Sequence, residues 1–324
     1  MQDNISRFTE NDIHDILTKE LGVEYFQYRK EWDSINPKNF PNFPLHIDFE
    51  MQDRCNQSCV MCPRNHQTHP DINYKLNKKT NTTFENFKKV IDEGKDNGLK
   101  SINLGAFAEP LINDDVFRMI RYAKNQGGAI VDIRIITNGL KLGEYIDEIL
   151  DCGLVNLFVS VDAFSDETYR KIRGYGFETV KSNLQLLLQK RAERNKVLPI
   201  TRVSFVDMMG RNSNEKENFI AFWKDKVDFI DIQIFDDYNV DINKDYDFSK
   251  KKKWQCFSPF SRVAILSNGD ILPCCNFFGR NIPIGNINKT TVKEAWNSDF
   301  MSKIRTGVFD DSIRNCAICQ RIGD

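Results

Sequence analysis

The sequence lacks any apolar run approaching the length of a membrane span, and its start, MQDNISRFTENDIHDIL, has neither a basic leader nor an apolar core. These absences argue against a membrane protein and against secretion, and they predict a cytosolic chain. A dominant charge is lacking too: the formal net charge is −1 over 324 residues. Nothing in that balance points to nucleic acid or to an anionic membrane as partner. With 40% hydrophobic and 28% charged residues, usage is that of a globular protein able to bury a sizeable core.

What stands out is cysteine. There are nine, an odd number, and a reducing compartment disfavours a disulfide framework. Seven fall into two groups: Cys55, Cys59 and Cys62 near the start, and Cys256, Cys274, Cys316 and Cys319 near the end. Cys152 and Cys275 are left over. Thiolate clusters of this kind point to zinc or iron–sulfur.

Between the two groups a unit repeats, a short apolar strand followed by an amphipathic helix. Strands are expected at 45–50, 101–105, 131–137, 155–161, 201–206 and 228–235. In TTFENFKKVIDEG, Phe84, Phe87, Val90 and Ile91 recur at helical spacing, and Thr82 with Glu85 reads as a capping box. A second helix, in DDVFRMIRYAKNQG, should end near Gly127. Alternating strands and helices predict an α/β fold built of parallel β/α units. Periodicity alone leaves an open doubly wound sheet and an incomplete barrel both possible. Residues 1–45 read as an N-terminal extension, helical around NDIHDILTKEL, and 46–245 as the β/α body. Residues 250–324 read as a small metal-organised domain with a hairpin turn at SNGD. The run Lys250–Lys253 reads as a solvated linker, with a docking patch for an acidic electron donor as the alternative.

The stretch CNQSCVMC follows the first strand directly, where parallel β/α folds carry functional loops. Three thiolates can hold three irons of a 4Fe–4S cluster and leave the fourth open. Zinc on three cysteines with His66 is the chemical alternative, and a four-cysteine zinc ribbon is the alternative for the tail. Together these would make a zinc-stabilised binding protein.

The C-x3-C-x2-C spacing on this loop resembles the radical S-adenosylmethionine (SAM) superfamily, with Met61 at a usually aromatic position. The resemblance runs over residues 45–324. LGAFAEPL (104–111) stands where the family has a G-G-E-type segment, with Phe107 and Ala108 replacing its glycines. ITNG (136–139) and VSVDAFSDETYRKIRG (159–174) match further segments. The resemblance implies a partial (β/α)6 TIM-like barrel and a 4Fe–4S cluster on Cys55, Cys59 and Cys62. Its SAM contacts would come from Met61, Glu109, Thr137, Asn138, Ser160, Asp162 and Arg173. It also implies reductive cleavage of SAM to a 5′-deoxyadenosyl radical that abstracts hydrogen from substrate, and a flavodoxin or ferredoxin-type electron donor.

The tail pattern C-x12-G-x4-C followed by C-x2-C resembles a shortened, twitch-type SPASM domain. It implies an auxiliary 4Fe–4S cluster on Cys256, Cys274, Cys316 and Cys319, suited to electron transfer. IGNI (284–287) and VKEAWNSDFMSKIR (292–305) match the same family, with Trp296 a packing residue. The group resembled includes the butirosin-pathway aminocyclitol dehydrogenase and the neomycin epimerase. The expected substrate is therefore a small hydroxyl-bearing molecule, a sugar or aminocyclitol, dehydrogenated or epimerised. In epimerisation Cys275 would be the hydrogen donor; Cys152 reads as a core thiol. A peptide-modifying maturase is the alternative, disfavoured by the short N-terminal extension and the single auxiliary set. No general base is evident; Asp207 and Asp236 are two of many strand-end carboxylates.

Overall fold

A computed structural model describes residues 5–7, 12–65, 80–126, 128–235, 246–253, 255–276 and 282–321. His66, Gly127 and Asp236 lie outside them. The six expected strands form, each within two residues of its expected bounds: β2 (His46–Phe49), β3 (Ser101–Leu104), β4 (Asp132–Thr137), β5 (Asn156–Ser160), β6 (Ile200–Asp207) and β7 (Phe229–Ile234). They pair in parallel in chain order. The sheet is wider than the repeat predicts. An N-terminal strand, β1 (Ile5–Arg7), adds antiparallel to β7. On the other side β8 (Arg262–Ile265) adds parallel to β2, followed by antiparallel β9 (Asp270–Leu272) and β10 (Gly285–Asn286). The resulting order is β1-β7-β6-β5-β4-β3-β2-β8-β9-β10 in one ten-stranded sheet, an open partial barrel. The cysteine-rich tail thus contributes strands to the same sheet as the β/α body.

Alternation along the strands sorts side chains onto two faces. Ile133 and Ile135 of β4, Leu157 and Val159 of β5, and Val203 and Phe205 of β6 enter the main core beneath the helices. Their neighbours Arg134, Asn156, Phe158 and Arg202 point into the lumen. Helices Ile13–Leu21 and Val23–Ser34 cap the N-terminal ends of the strands, where Leu17, Tyr25 and Tyr28 pack on Val131, Val155 and Ile200.

Local details bear on four expectations. The helix Phe84–Asn97 is capped by Thr83, whose side chain accepts from Asn86 N, and not by Thr82 with Glu85. Thr82 instead turns its hydroxyl to the Glu50 carbonyl at 3.2 Å. The SNGD hairpin forms as expected, with Leu266 N donating to Asp270 O at 2.9 Å and Gly269 at φ +92°. Within the lysine run, Lys252 is neither solvated linker nor docking patch. Its ammonium donates to the carbonyls of Val308 and Phe309 at 3.1 and 3.0 Å and pairs with Asp311 at 2.7 Å. It thereby caps the C-terminal end of helix Asp299–Asp310. Trp296 is fully buried, with its indole N–H on Pro41 O at 2.9 Å, so it packs.

The cap assignment is testable by urea unfolding. Thr83→Ala should lower stability by about 1 kcal/mol, whereas Glu85→Ala should stay within about 0.5 kcal/mol. The reverse order would restore the Thr82–Glu85 box.

Candidate active site

The loop after β2 is built from its backbone outward. Cys62 N donates to Cys59 O at 3.1 Å, and Asn65 N to Cys62 O at 2.9 Å, which coils the thiols into consecutive turns. The Asn65 side chain donates to Ser58 O and Cys59 O, at 2.9 and 3.2 Å. Gln57 donates to the Tyr169 hydroxyl at 2.9 Å and to Tyr175 O at 3.2 Å. Arg64 is buried against Glu50 and donates to Phe107 O at 2.7 Å. The loop is therefore fixed at both ends.

Cys55, Cys59 and Cys62 all line one cavity of about 330 Å³ at the C-terminal ends of the strands. Met61, Glu109, Thr137, Asn138, Ser160, Arg173 and Cys275 line it too. Of the expected SAM contacts, Asp162 alone stays outside. It is fully buried, at φ +61°, and its carboxylate is spent on Arg173 Nε at 2.7 Å and Val206 N at 2.8 Å. Asp162 therefore meets the cavity through Arg173 and does not line it itself. Held in this way, the Arg173 guanidinium donates to Cys59 Sγ at 3.6 Å.

Glu109 sits at the cavity wall with three hydrogen bonds already made. It accepts from Thr137 Oγ1 at 2.6 Å, Asn138 N at 2.7 Å and Leu111 N at 3.0 Å. Burial pushes its pKa up, against the pull of these donors. Gly105 is required at the start of this segment: at φ +114° a Cβ would meet Pro110 Cγ at 2.8 Å. The Asn138 side chain bridges to Asn56 Oδ1 at 2.7 Å and approaches Cys55 Sγ at 4.0 Å. Burial pushes the Cys59 thiol up to about 12 and raises Cys55 as well. Without a metal these sulfurs stay protonated, and ligation must displace their protons.

The tail cysteines come together from three elements. Cys256 precedes the short helix Ser258–Ser261, Cys274 follows β9, and Cys316 and Cys319 sit one turn apart on helix Arg314–Cys319. Cys274 is half-buried, and its thiol is pushed well up, first by desolvation and then by the thiols of Cys275, Cys256, Cys319 and Cys316 near it. Gln320, fully buried, ties the group: it accepts from Cys256 N at 3.2 Å and donates to Cys316 O at 3.2 Å. Cys152 is a core thiol, its sulfur on Ile149 O at 3.7 Å. Asp207 is spent on a turn, accepting from Ser213 Oγ and Met209 N, and does not line the cavity.

Three cavity or support residues went unmarked in the sequence reading. Arg64 could have been suspected, since a cation two residues after a thiolate loop has an obvious electrostatic use. Gln57 and Arg262 carry no sequence signature; Arg262 Nη1 lies 3.7 Å from Cys275 Sγ.

Residues 49–218 match the profile of the radical SAM superfamily, more than half of the sequence. The chain belongs to that superfamily. Residues 256–320 match the SPASM iron–sulfur cluster-binding domain. Iron–sulfur clusters and SAM are accordingly its cofactors.

Among relatives, a GTP 3′,8-cyclase of Thermodesulfovibrio yellowstonii is 28% identical over 197 residues, 58% of this chain and 56% of its own. One of Petrotoga mobilis is 27% identical over 190 residues, 56% and 52%. The chain spans about half the length of the curated relatives it matches. Among solved structures, Streptococcus suis SuiB bound to precursor peptide SuiA aligns with TM-score 0.65 and 16% identity, covering 96% of this chain and 77% of that one. BtrN in complex with AdoMet and 2-DOIA aligns with TM-score 0.54 and 15% identity, covering 86% and 93%. These likenesses establish a shared fold.

The residues present fit the cofactors. Three thiols line one cavity with a buried carboxylate and an arginine, while no histidine among the described residues joins them. No three described His, Cys, Asp or Glu side chains converge as around a single ion. Cysteine ligation of a 4Fe–4S cluster distributes the thiolates over several irons, so it does not need that convergence.

Iron analysis of the anaerobically reconstituted protein tests the two sets. Wild type and Cys152→Ala should each bind about eight irons. Alanine at Cys55, Cys59 or Cys62, or at any of Cys256, Cys274, Cys316 and Cys319, should cost about four.

Proposed function

We propose that the chain is a radical SAM oxidoreductase acting on a small hydroxyl-bearing molecule, a sugar or aminocyclitol. In this reading residues 46–245 form the catalytic barrel, 250–324 carry the auxiliary cluster, and 1–45 are an N-terminal extension. Cys55, Cys59 and Cys62 would hold the first 4Fe–4S cluster, and Cys256, Cys274, Cys316 and Cys319 the second. When bound, the reduced first cluster with SAM supplies a 5′-deoxyadenosyl radical able to take hydrogen from an unactivated C–H bond.

The chain's own contribution is placement. Glu109, oriented by Thr137, Asn138 and Leu111, presents a fixed acceptor to the SAM amino group. Arg173, aimed by Asp162, offers its donors to an anionic group such as the SAM carboxylate, and Ser160 adds a hydroxyl. The apolar wall of Met61, Ala106, Phe107 and Ile136 keeps water from the reacting carbon.

The observation that carries dehydrogenation is the tail's gathering of Cys274 with Cys256, Cys316 and Cys319. Four thiolates leave no open iron, which suits such a set to electron transfer and not to substrate binding. Oxidation of a secondary alcohol then balances: one hydrogen atom leaves carbon, one proton leaves oxygen, and one electron passes to the protein. An external flavodoxin or ferredoxin-type protein would supply the reducing electron.

Epimerisation is a second reading, favoured by Cys275. Its side chain lines the same cavity as the three thiols, where an S–H could return hydrogen to the opposite face of a substrate carbon. The cyclase relatives match little more than half of the chain, and the solved neighbours include both BtrN with 2-DOIA and SuiB with a peptide. These likenesses therefore do not select the reaction.

Anaerobic assay with dithionite and SAM should yield 5′-deoxyadenosine. Zinc in place of iron, with no SAM cleavage, would defeat the proposal. Cys275→Ala separates the two reactions: product formation persists in a dehydrogenase, whereas an epimerase loses product but keeps SAM cleavage. Deuterium from D2O should enter the product carbon only in the second case.

A further inference from the structure

Below the thiol-lined cavity the barrel holds a second one of about 550 Å³, at the N-terminal ends of the strands. Helices Ile13–Leu21 and Val23–Ser34 close it with Tyr25, Tyr28 and Trp32. The lumen of a structural barrel is packed with branched aliphatic side chains. This lumen is instead lined by Arg134, Arg202 and Arg262, with Arg29 reaching in from the capping helix. Such a volume is within the range of small-molecule sites, roughly 300–1,000 Å³.

The wall is charge-compensated, but unevenly in hydrogen-bonding character. Arg134 pairs with Asp132, Arg202 with Asp231 at 2.7 Å, Arg29 with Asp33 at 3.1 Å, and Arg262 lies 3.9 Å from Asp48. Asp48 Oδ2 and Asp231 Oδ1 are buried without a hydrogen-bond partner among the described residues, but neither residue lines the chamber; Asp132, which does, is occupied. Asp132 also accepts from Ser101 Oγ at 3.0 Å and Asn156 Nδ2 at 2.7 Å. Asp48 accepts from Asn103 Nδ2 at 2.8 Å, and its Oδ1 faces His46 Nε2 at 3.2 Å. A guanidinium carries five N–H donors, and one carboxylate engages two at most. What remains to face the chamber is therefore rich in donors. Aromatic faces flank them: Arg262 lies 4.9 Å over Trp32, and Arg202 lies 3.8 Å over Phe158.

The two cavities adjoin. On β4, Arg134 lines the lower and Ile136 the upper; on β5, Phe158 lines the lower and Ser160 the upper. A two-residue step along a strand is about 7 Å. Arg262 of the lower cavity also contacts Cys275 of the upper.

We infer that the lower chamber is the anchoring half of the substrate site, taking an anionic, oxygen-rich group of a sugar-sized molecule whose reacting carbon is presented to the upper cavity. Phosphate and carboxylate share the required chemistry. The role as substrate anchor rests on the radical reading of the upper cavity; anion binding in the lower chamber does not.

Titration of the reconstituted protein with glucose 6-phosphate, glucuronate and glucose tests this, read by tryptophan fluorescence and by melting temperature. At least one of the acids should bind saturably, raise Tm, and bind about tenfold or more tighter than glucose. Arg134→Gln and Arg29→Gln should each weaken it about tenfold. Arg29, at the chamber rim in a partly exposed pair, keeps the test valid if loss of the Arg134–Asp132 pair impairs folding. Failure of both acids to bind, equal binding of glucose, or unchanged affinity in a folded variant overturns the inference. Binding retained in a protein that fails to cleave SAM would support the chamber and remove the radical reading. Cleavage without acid binding would do the opposite.

Discussion

The Glu50 carboxylate holds the site together. It is buried at the end of β2, where a charge survives only if it is paired and hydrogen-bonded. One oxygen meets Arg64, just beyond the third thiol. The other accepts from Ser267 N at 3.0 Å and Ser267 Oγ at 3.1 Å, in the hairpin between β8 and β9. Arg64 in turn reaches Phe107 O in the segment that carries Glu109. A single buried anion thus locks the three-cysteine loop, the Glu109 segment and the tail to one another. Removing one partner of such a pair costs about 3–5 kcal/mol, because the other is left buried and uncompensated. The arrangement explains how a flexible-looking cysteine loop keeps three thiols on one cavity, and why the tail packs as a continuation of the barrel sheet.

That continuity has a functional side. Because β8 pairs with β2, the strand leading to the tail cysteines runs beside the strand leading to the first three. Cys275 then reaches the upper cavity while its neighbour Cys274 is gathered with the tail thiols. Cys275 thus lines the upper cavity and also lies beside Cys274, which places a thiol between the proposed radical chemistry and the proposed electron acceptor.

Much of this was legible in the sequence. The strand–helix repeat yields all six parallel strands, because apolar runs bounded by turn residues have few other uses in a chain of this length. Cys55, Cys59, Cys62, Glu109, Thr137, Asn138 and Ser160 are found around one cavity because they stand at strand ends or on the loops that follow, where topology converges them; Arg173 joins them from the C-terminal end of helix Asp166–Ile172. Tertiary pairing was not legible. The cap moved from Thr82 to Thr83 because Glu50 O recruits the Thr82 hydroxyl. Lys252, inside a run of like charges, is drawn to helix-end carbonyls that the local sequence does not advertise. Asp162 stays out of the cavity because its oxygens are turned to Arg173 and Val206 N. The polar lumen is visible in retrospect as the alternation in DIRIIT and TRVSFV, which departs from the continuous apolar runs of a strand buried on both faces.

The central claim is an asymmetry: one thiol set open to a ligand, the other closed. Electron paramagnetic resonance of the reduced, reconstituted protein tests it most directly, comparing wild type with a variant lacking Cys256, Cys274, Cys316 and Cys319. Two reduced cluster signals are expected in wild type, of which SAM changes one and leaves the other unaltered, and the variant should retain the SAM-sensitive signal alone. A SAM-sensitive signal that disappears with the tail cysteines, or a signal from the first set that SAM never perturbs, would contradict the account.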